Sequence, residues 1–358
     1  MRISMINLLQ TMLLEKSSDL HISAGAPPCF RVNGAIVRSK IPALNPDQTR
    51  ELCYSMLNEQ QIKEFEKNKE IDFSFSVKEV ARIRANFFLQ RGSVAGVFRK
   101  INNRIPRVHD LGFNRYVLSN IFKPHGLVLV TGPTGSGKST SIASFIEEIN
   151  LTKKKHIITI EDPIEYTFKH KKSLINQREI GTDTKDFPTA LRQVLREDPD
   201  VIVVGEIRDR ETCESALKAA ETGHLVFSTL HTNGAVNTIH RIIQMFDEKN
   251  QAYVRNLLSF TLQGVISQVL CQTKQKTSRK LCYEFLNITP AIRNLIREDK
   301  LHQVQGMMEV GKTKYGMVLL NEELVKAYQS GWISQEEAFE KSPDIVELGK
   351  MMTHLGVA

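Results

Sequence analysis

The sequence predicts an α/β protein in two parts, a smaller α+β amino-terminal domain followed by a larger domain built on a parallel sheet. Three observations carry this. The chain has 358 residues, more than one ordinary core holds. From Gly126 onward, short β-rich runs alternate with longer helical patterns, the signature of strand–helix–strand units. Before that point, strand-like pieces broken by Gly25, Pro27, Pro28 and Gly34 surround a helical stretch near Thr49–Phe65, the mixture expected of a small α+β domain.

At the amino end, Ile3, Ile6, Leu9, Met12 and Leu13 recur at helical spacing, so Met1–Lys16 reads as a short amphipathic helix stopped at Ser17, Ser18 and Asp19. Arg82–Phe88 and Ser93–Arg99 read as extended segments flanking Arg91-Gly92, and this arginine-rich hairpin closes a first domain of residues 1–101. The polar stretch Asn102–Asp110, with Pro106 inside it, marks a linker over 102–112, and the second domain runs over 113–358. Its core strands are expected at Leu127–Val130, Ile157–Ile160, Val201–Val204 and Leu225–Leu230. After the first of these, Ile142, Phe145, Ile146 and Ile149 define a helix face packed on the sheet. Beyond about Arg255 the pattern reads as mostly helical.

Composition excludes several classes. Hydrophobic residues at 41% and charged residues at 25% match a globular protein rather than a disordered or fibrous one. The longest apolar stretches, Leu127–Val130 and Val201–Val204, fall far short of the roughly 20 residues a membrane-spanning helix needs. Gln10, Thr11 and Glu15 interrupt the first apolar run and no small-residue cleavage site follows, which points to the cytosol. Five cysteines, Cys29, Cys53, Cys213, Cys271 and Cys282, include no C-x-x-C pair and read as reduced thiols rather than a disulfide framework or zinc site. The formal charge is +8, but the basic runs Lys153–Lys155, Lys169–Lys172 and Lys274–Lys280 are short, scattered and free of interleaved aromatics. No nucleic-acid partner is expected.

The strongest chemical signal is Gly132, Pro133, Thr134, Gly135, Ser136, Gly137, Lys138 and Ser139, a G-x-x-x-x-G-K-[ST] run directly after an apolar strand and opening an amphipathic helix. Glycines let backbone N–H groups turn inward around phosphate oxygens, the helix N-terminus adds partial positive charge, and Lys138 reaches the β and γ phosphates. Ser139 offers a hydroxyl to Mg²⁺, so the expected ligand is Mg-ATP. A second buried strand, Val201–Val204, leads into Glu206, the candidate general base. Two further strands end in polar groups: Ile157–Ile160 before Glu161, Asp162 and Glu165, and Leu225–Leu230 before His231. In a parallel sheet such carboxyl ends converge on one edge, so the carboxylates can orient water or Mg²⁺ and His231 can sense the γ-phosphate. His224 stands on the amino side of its strand.

Four strings together resemble the Walker A, Asp box, Walker B and His box of secretion-superfamily ATPases: GPTGSGKST at Gly132–Thr140, TIEDPIE at Thr159–Glu165, LREDPDVIVVGEIRD at Leu195–Asp209, and AAETGHLVFSTLHT at Ala219–Thr232. The likeness is greatest to the PilT family, which powers type IV pilus retraction and twitching motility. It extends to SDLHISAGAPPCFRVNG at Ser18–Gly34, RIRANFFLQRG at Arg82–Gly92, and AIRNLIRE at Ala291–Glu298. The resemblance implies a PAS-like first domain, a RecA-like ATPase domain, and a cytoplasmic homo-hexameric ring associated peripherally with the inner membrane through a pilus platform protein. It implies Glu206 as the catalytic glutamate, His224 and His231 as the His box, Thr140 within the nucleotide motif, and Arg82, Arg84, Arg91 and Arg99 as the family's arginines. Three stretches differ from the family pattern. Thr238-Ile239-His240-Arg241 carries a histidine at the usual aspartate, Lys274–Lys280 lacks the usual glycines, and Gly316–Asn321 lacks an acidic residue. These differences leave open an accessory, PilU-like subunit working beside a paralogous motor, or another type II/IV secretion ATPase.

Overall fold

The computed structural model describes residues 3–15, 17–32, 34–77, 81–101, 104–276 and 278–354. Met1, Arg2 and Lys16 of the expected first helix, Asn102 and Asn103 of the expected linker, and Thr277 of the third basic run lie outside these residues. The chain divides into two compact units, Met1–Arg104 with Glu165–Thr167, and Ile105–Ile164 with Phe168–Ala358.

The first unit begins with helix α1 (Met5–Leu14) and strands β1 (Asp19–Ile22), β2 (Cys29–Val32) and β3 (Ala35–Arg38). Helices α2 (Pro46–Tyr54) and α3 (Glu59–Asn68) follow, then strands β4 (Glu70–Val77), β5 (Ala81–Gln90) and β6 (Ser93–Lys100). The strands form one antiparallel sheet in the order β3-β2-β1-β6-β5-β4. The helical stretch expected near Thr49–Phe65 is two helices, because Asn58 and Gln61 form a capping box that starts a new helix, as Asn45 and Gln48 do for α2. A core of Leu9, Met12, Leu20, Phe65, Phe87 and Phe98 fills the space between helices and sheet. The expected arginine hairpin is β5–β6, turning at Arg91 (φ 49°) and Gly92 (φ 77°). Two successive positive φ angles match the right-handed strand twist of a two-residue hairpin.

The second unit opens with a 3₁₀ turn at Val108–Leu111, whose Val108 is buried in that unit's core. Helix α4 (Arg115–Ile121), strand β7 (Gly126–Thr131), helix α5 (Lys138–Thr152) and strands β8 (His156–Glu161) and β9 (Leu174–Glu179) come next. They are followed by α6 (Phe187–Val194), β10 (Val201–Val204), α7 (Arg210–Glu221), β11 (Leu225–Leu230), α8 (Ala235–Gln244) and α9 (Glu248–Thr261). Then come β12 (Leu262–Gln272) and β13 (Arg279–Asn287). Helices α10 (Pro290–Arg297), α11 (Val304–Tyr315), α12 (Leu320–Gln329), α13 (Gln335–Lys341) and α14 (Ile345–His354) end the described chain.

The seven strands are ordered β13-β12-β7-β11-β10-β8-β9, parallel throughout except for the antiparallel β12–β13 pair. The four strands expected from the sequence are β7, β8, β10 and β11. They read as continuous apolar runs because both faces of the sheet are covered. Along β7, Leu127 and Leu129 enter a core shared with α7–α11, whereas Val128 and Val130 enter the opposite core with Ile142, Phe145, Ile146 and Ile149 of α5. The mixed α/β class holds, with one correction. The stretch beyond Arg255 stays helical only to Thr261, the end of α9, and β12 and β13 then extend the sheet past β7 before the helices resume at α10. No Gly or Pro separates α9 from β12, so the change from helical to extended backbone carries no punctuation in the sequence. Among the described residues no helix is long and apolar enough to cross a membrane.

Phe145 is fully buried, with ring centroids 5.2 Å from Phe113 and 6.4 Å from Phe227. Phe145→Ala is therefore expected to destabilise the second unit by about 3–5 kcal/mol, the usual cost of such a cavity. Chemical denaturation checks this, and a loss under about 1 kcal/mol would contradict the described packing.

Candidate functional site

The loop between β7 and α5 is shaped by glycines in the left-handed region: Gly132 (φ 139°), Gly135 (φ 79°) and Gly137 (φ 89°). At Gly132 a Cβ would stand 2.2 Å from the Gln268 carbonyl oxygen, so no side chain fits there. Pro133, Thr134 and Gly135 are exposed, whereas Ser136 is buried and its Oγ has no hydrogen-bond partner among the described residues. Lys138 is buried and folds back, its Nζ donating to Gly132 O at 2.8 Å and Pro133 O at 3.0 Å. Ser139 and Thr140 are half-buried in the first turn of α5. Gly137 is the N-cap of α5 and has no side chain to satisfy the helix's first N–H groups. Such an end suits an anion, because several aligned N–H dipoles face it.

The parallel register brings three strand ends to the edge where this loop lies. Leu230 of β11 is level with Thr131 of β7, and Val204 of β10 is level with Ile160 of β8. Glu206 leaves β10 two residues past that point, and its carboxylate is largely buried between two partners. One oxygen accepts from His231 Nε2 at 3.0 Å and the other pairs with Arg208. A carboxylate can only accept, so this contact places an imidazole proton on Nε2. Nδ1 lies 3.4 Å from Thr134 Oγ1. Thr134, His231 and Glu206 therefore form a chain from the loop to the strand-end carboxylate.

Glu161 ends β8 beside Gly205: the Gly205 N–H donates to Ile160 O at 2.8 Å, and a Cβ on Gly205 would stand 3.4 Å from Glu161 Cα. The Glu161 carboxylate accepts from Thr159 Oγ1 at 2.6 Å and Gln177 Nε2 at 3.0 Å. Asp162 is exposed next to it, and Glu165 groups with the first unit. His224 is not brought to this edge. It precedes the six-residue strand β11, roughly 20 Å from the other end, and its Nδ1 lies 3.0 Å from Ala219 O.

The four arginines sit in the first unit. Arg99 pairs with Asp19 at 2.7 Å, and Arg84 grips Asp72 with Nε at 3.1 Å and Nη2 at 2.6 Å. Arg82 donates to Ser74 Oγ at 2.6 Å, and Arg91 is exposed at the hairpin turn. Burial alone would raise the Asp19 carboxyl, but hydrogen bonds from Ser18 and Arg99 outweigh it and hold the group below the usual carboxylate range.

Comparison with known proteins supplies the family. Residues 2–357 match the family model described as Type II/IV secretion system protein. The chain belongs to that family. Within it, the chain is 48% identical over 326 residues to the type IV pilus retraction ATPase PilT of Pseudomonas aeruginosa, covering 91% of this chain and 94% of that one. It is 38% identical to the type IV pilus ATPase PilU of the same organism, covering 98% and 91%. A solved structure of the pilus retraction motor PilT with bound ADP superposes with a TM-score of 0.92 at 52% identity, covering 98% of this chain and all of that one. The ATPase DotB of Legionella pneumophila shares the fold with a TM-score of 0.83 at 26% identity, covering 94% and 95%.

Several polar residues tie the sheet to the helices around it, and two of them, Gln268 and Glu284, were not singled out in the sequence. Thr238 Oγ1 donates to Thr131 Oγ1 at 3.3 Å and lies 2.7 Å from Thr232 Oγ1, tying the end of β7 to the segment after His231. Arg293 of α10 donates to Phe260 O at 2.8 Å and also bonds Ser259 O, so it caps the last turn of α9 rather than standing on an open helix face. Gln268 and Glu284 are polar residues inside apolar strands, which is the signal that could have found them. Glu284 is buried, and its carboxylate accepts from Ala235 N at 2.6 Å at the start of α8, a few residues after His231. Burial pushes its pKa above the ordinary 4.5, with the Ala235 N–H acting the other way.

The folded state thus binds this proton more tightly than the unfolded chain. The stability it contributes is complete below about pH 4.5 and is lost as pH rises through the raised value. Glu284→Gln removes the ionisation, so its melting temperature relative to wild type is expected to improve from pH 5 to pH 8. A constant difference across that range in thermal melts would contradict the assignment.

Proposed function

We propose that this chain is the motor ATPase of type IV pilus retraction, binding Mg-ATP at Gly132–Thr140 and converting its hydrolysis into mechanical work. The observation that carries the reading is the chain Thr134–His231–Glu206, which links the glycine-rich loop to a carboxylate on a neighbouring strand of one parallel sheet. The loop fits a phosphate group on three counts. Gly132 leaves no room for a side chain, the buried Ser136 hydroxyl lacks a partner among the described residues, and Lys138 holds a charge within the loop.

In this reading Lys138 exchanges its loop carbonyls for β- and γ-phosphate oxygens, and the first N–H groups of α5 add further donors. Ser139 is the residue that would hold Mg²⁺, whose charge favours the pentavalent phosphorus transition state. Glu206 accepts a proton from the attacking water as that water bonds the γ-phosphorus and the β–γ bridging bond breaks. Glu161 and Asp162 orient that water, while His231 reports the change to the loop through Thr134. Arg82, Arg84, Arg91 and Arg99 are assigned to the developing γ-phosphate charge. Since Arg84 and Arg99 already face Asp72 and Asp19, reaching a phosphate exchanges one anionic partner for another.

The working form is a cytoplasmic homo-hexamer acting on an inner-membrane platform protein, with the paralogous retraction subunit as a further partner. Identity of 48% to PilT against 38% to PilU favours the main motor over the accessory role.

Lys138→Ala is expected to abolish Mg-ATP binding or turnover, and Glu206→Gln to keep binding while hydrolysis falls by a factor of about 10²–10⁴. Nucleotide titration and phosphate release on each purified variant test this. Turnover within twofold of wild type for Lys138→Ala, or lost binding for Glu206→Gln, would contradict these roles.

A further inference from the structure

Gln268 lies within β12, the strand that flanks β7 on the side away from β11, and it is wholly buried. A primary amide is tolerated in such a place only when its donor and acceptor are bonded. Its Nε2 donates to Ser136 O at 2.8 Å, and its Oε1 accepts from Ser141 Oγ at 2.9 Å. One side chain therefore ties the glycine-rich loop to the first turn of α5. The same residue also limits both glycines that bound the loop. A Cβ on Gly132 would stand 2.2 Å from Gln268 O, and one on Gly137 would stand 3.3 Å from Gln268 Nε2.

These contacts matter because of what glycine does to a loop. Three glycines at positive φ give the segment little preference of its own for one shape. The peptide unit is planar and trans, so a carbonyl held toward Gln268 points the following N–H, that of Gly137, the opposite way. If the Ser136 carbonyl swung free, that N–H would swing with it. The donor from Nε2 fixes the peptide, and the acceptor Oε1 fixes the amide against a hydroxyl on the helix.

From this we infer that Gln268 is a positioning residue for nucleotide binding. It holds the loop in its phosphate-accepting shape before the nucleotide arrives, so part of the affinity is preorganisation supplied by β12 rather than by the loop itself. The inference rests on reading Gly132–Thr140 as the phosphate loop.

Gln268→Met keeps length and apolar volume while removing both hydrogen bonds, and Ser141→Ala removes one of them. The dissociation constants for Mg-ATP and Mg-ADP are measured on the intact protein, beside the melting temperature of each variant. Gln268→Met is expected to weaken both nucleotides about tenfold and Ser141→Ala about threefold. The double variant should be little worse than Gln268→Met alone, because both changes release the same clamp. A merely structural glutamine would lower the melting temperature and leave both dissociation constants within twofold of wild type, which would overturn the assignment. Lys138→Ala is the reference. Unchanged binding and turnover there would sink the loop reading itself, whereas lost binding or turnover there with unchanged binding in Gln268→Met would overturn only the role of Gln268. Should Gln268→Met fail to fold, Ser141→Ala decides, with threefold weakening in favour and unchanged affinity against.

Discussion

At Gly132 the chain leaves β7 so close to β12 that a single added carbon would stand 2.2 Å from the Gln268 carbonyl oxygen. That close approach is the constraint on which the site depends. It keeps the loop low over the end of the sheet, and it lets Gln268 and Lys138 bond the loop from its inner side. A larger residue at 132 would have to lift the turn, and the contact between Thr134 and His231 would be lost with it. The fold is arranged to make the approach possible. Two apolar cores, one on each face of the sheet, lock β7 between β11 and β12, so the ends of three strands are fixed relative to the loop to within the packing of the interior.

The polar groups at that edge are held by short links rather than by burial alone. Ser228 and Thr229 of β11 donate to Val204 O and Gly205 O at 2.9 and 2.7 Å, which anchors the strand end that carries Glu206. Ile207 N donates to Thr229 O at 2.9 Å just beyond it. Glu284 and Ser267, from β13 and β12, bond the first residues of α8 and so fix the segment that follows His231. Strands on both sides of β7 thus hold this edge, β11 fixing the stretch that carries Glu206 and β12 and β13 fixing the segment after His231. At the far end of β12, Arg293 caps α9 where that helix passes directly into the strand, which joins α10 to the element that carries Gln268.

Much of this was legible because parallel sheets put their strand ends on one edge. Four apolar runs and a glycine-rich loop after the first of them were enough to gather Gly132–Ser139, Glu206, Glu161 and His231. Strand polarity also separates His231 from His224, which a motif containing both does not. Gln268 and Glu284 stayed hidden because Leu262–Gln272 follows α9 without a breaking residue, so two strands were read as part of a helical region. The split between α2 and α3 was missed because a capping box uses Asn and Gln, which also occur inside helices. Arg293 lies inside the string Ala291–Glu298, but only its place against the carbonyls of Ser259 and Phe260 reveals a cap.

The central claim is that the carboxyl edge of this sheet, and the loop at Gly132 above all, receives the nucleotide. Amide hydrogen exchange on the intact wild-type protein, with and without Mg-ATP, tests it most directly, because the donors in question are backbone N–H groups. The account predicts slowed exchange over residues 133–139, accompanied by slowing at 230–232 where His231 is held. Unchanged exchange over 133–139 at saturating Mg-ATP would contradict it.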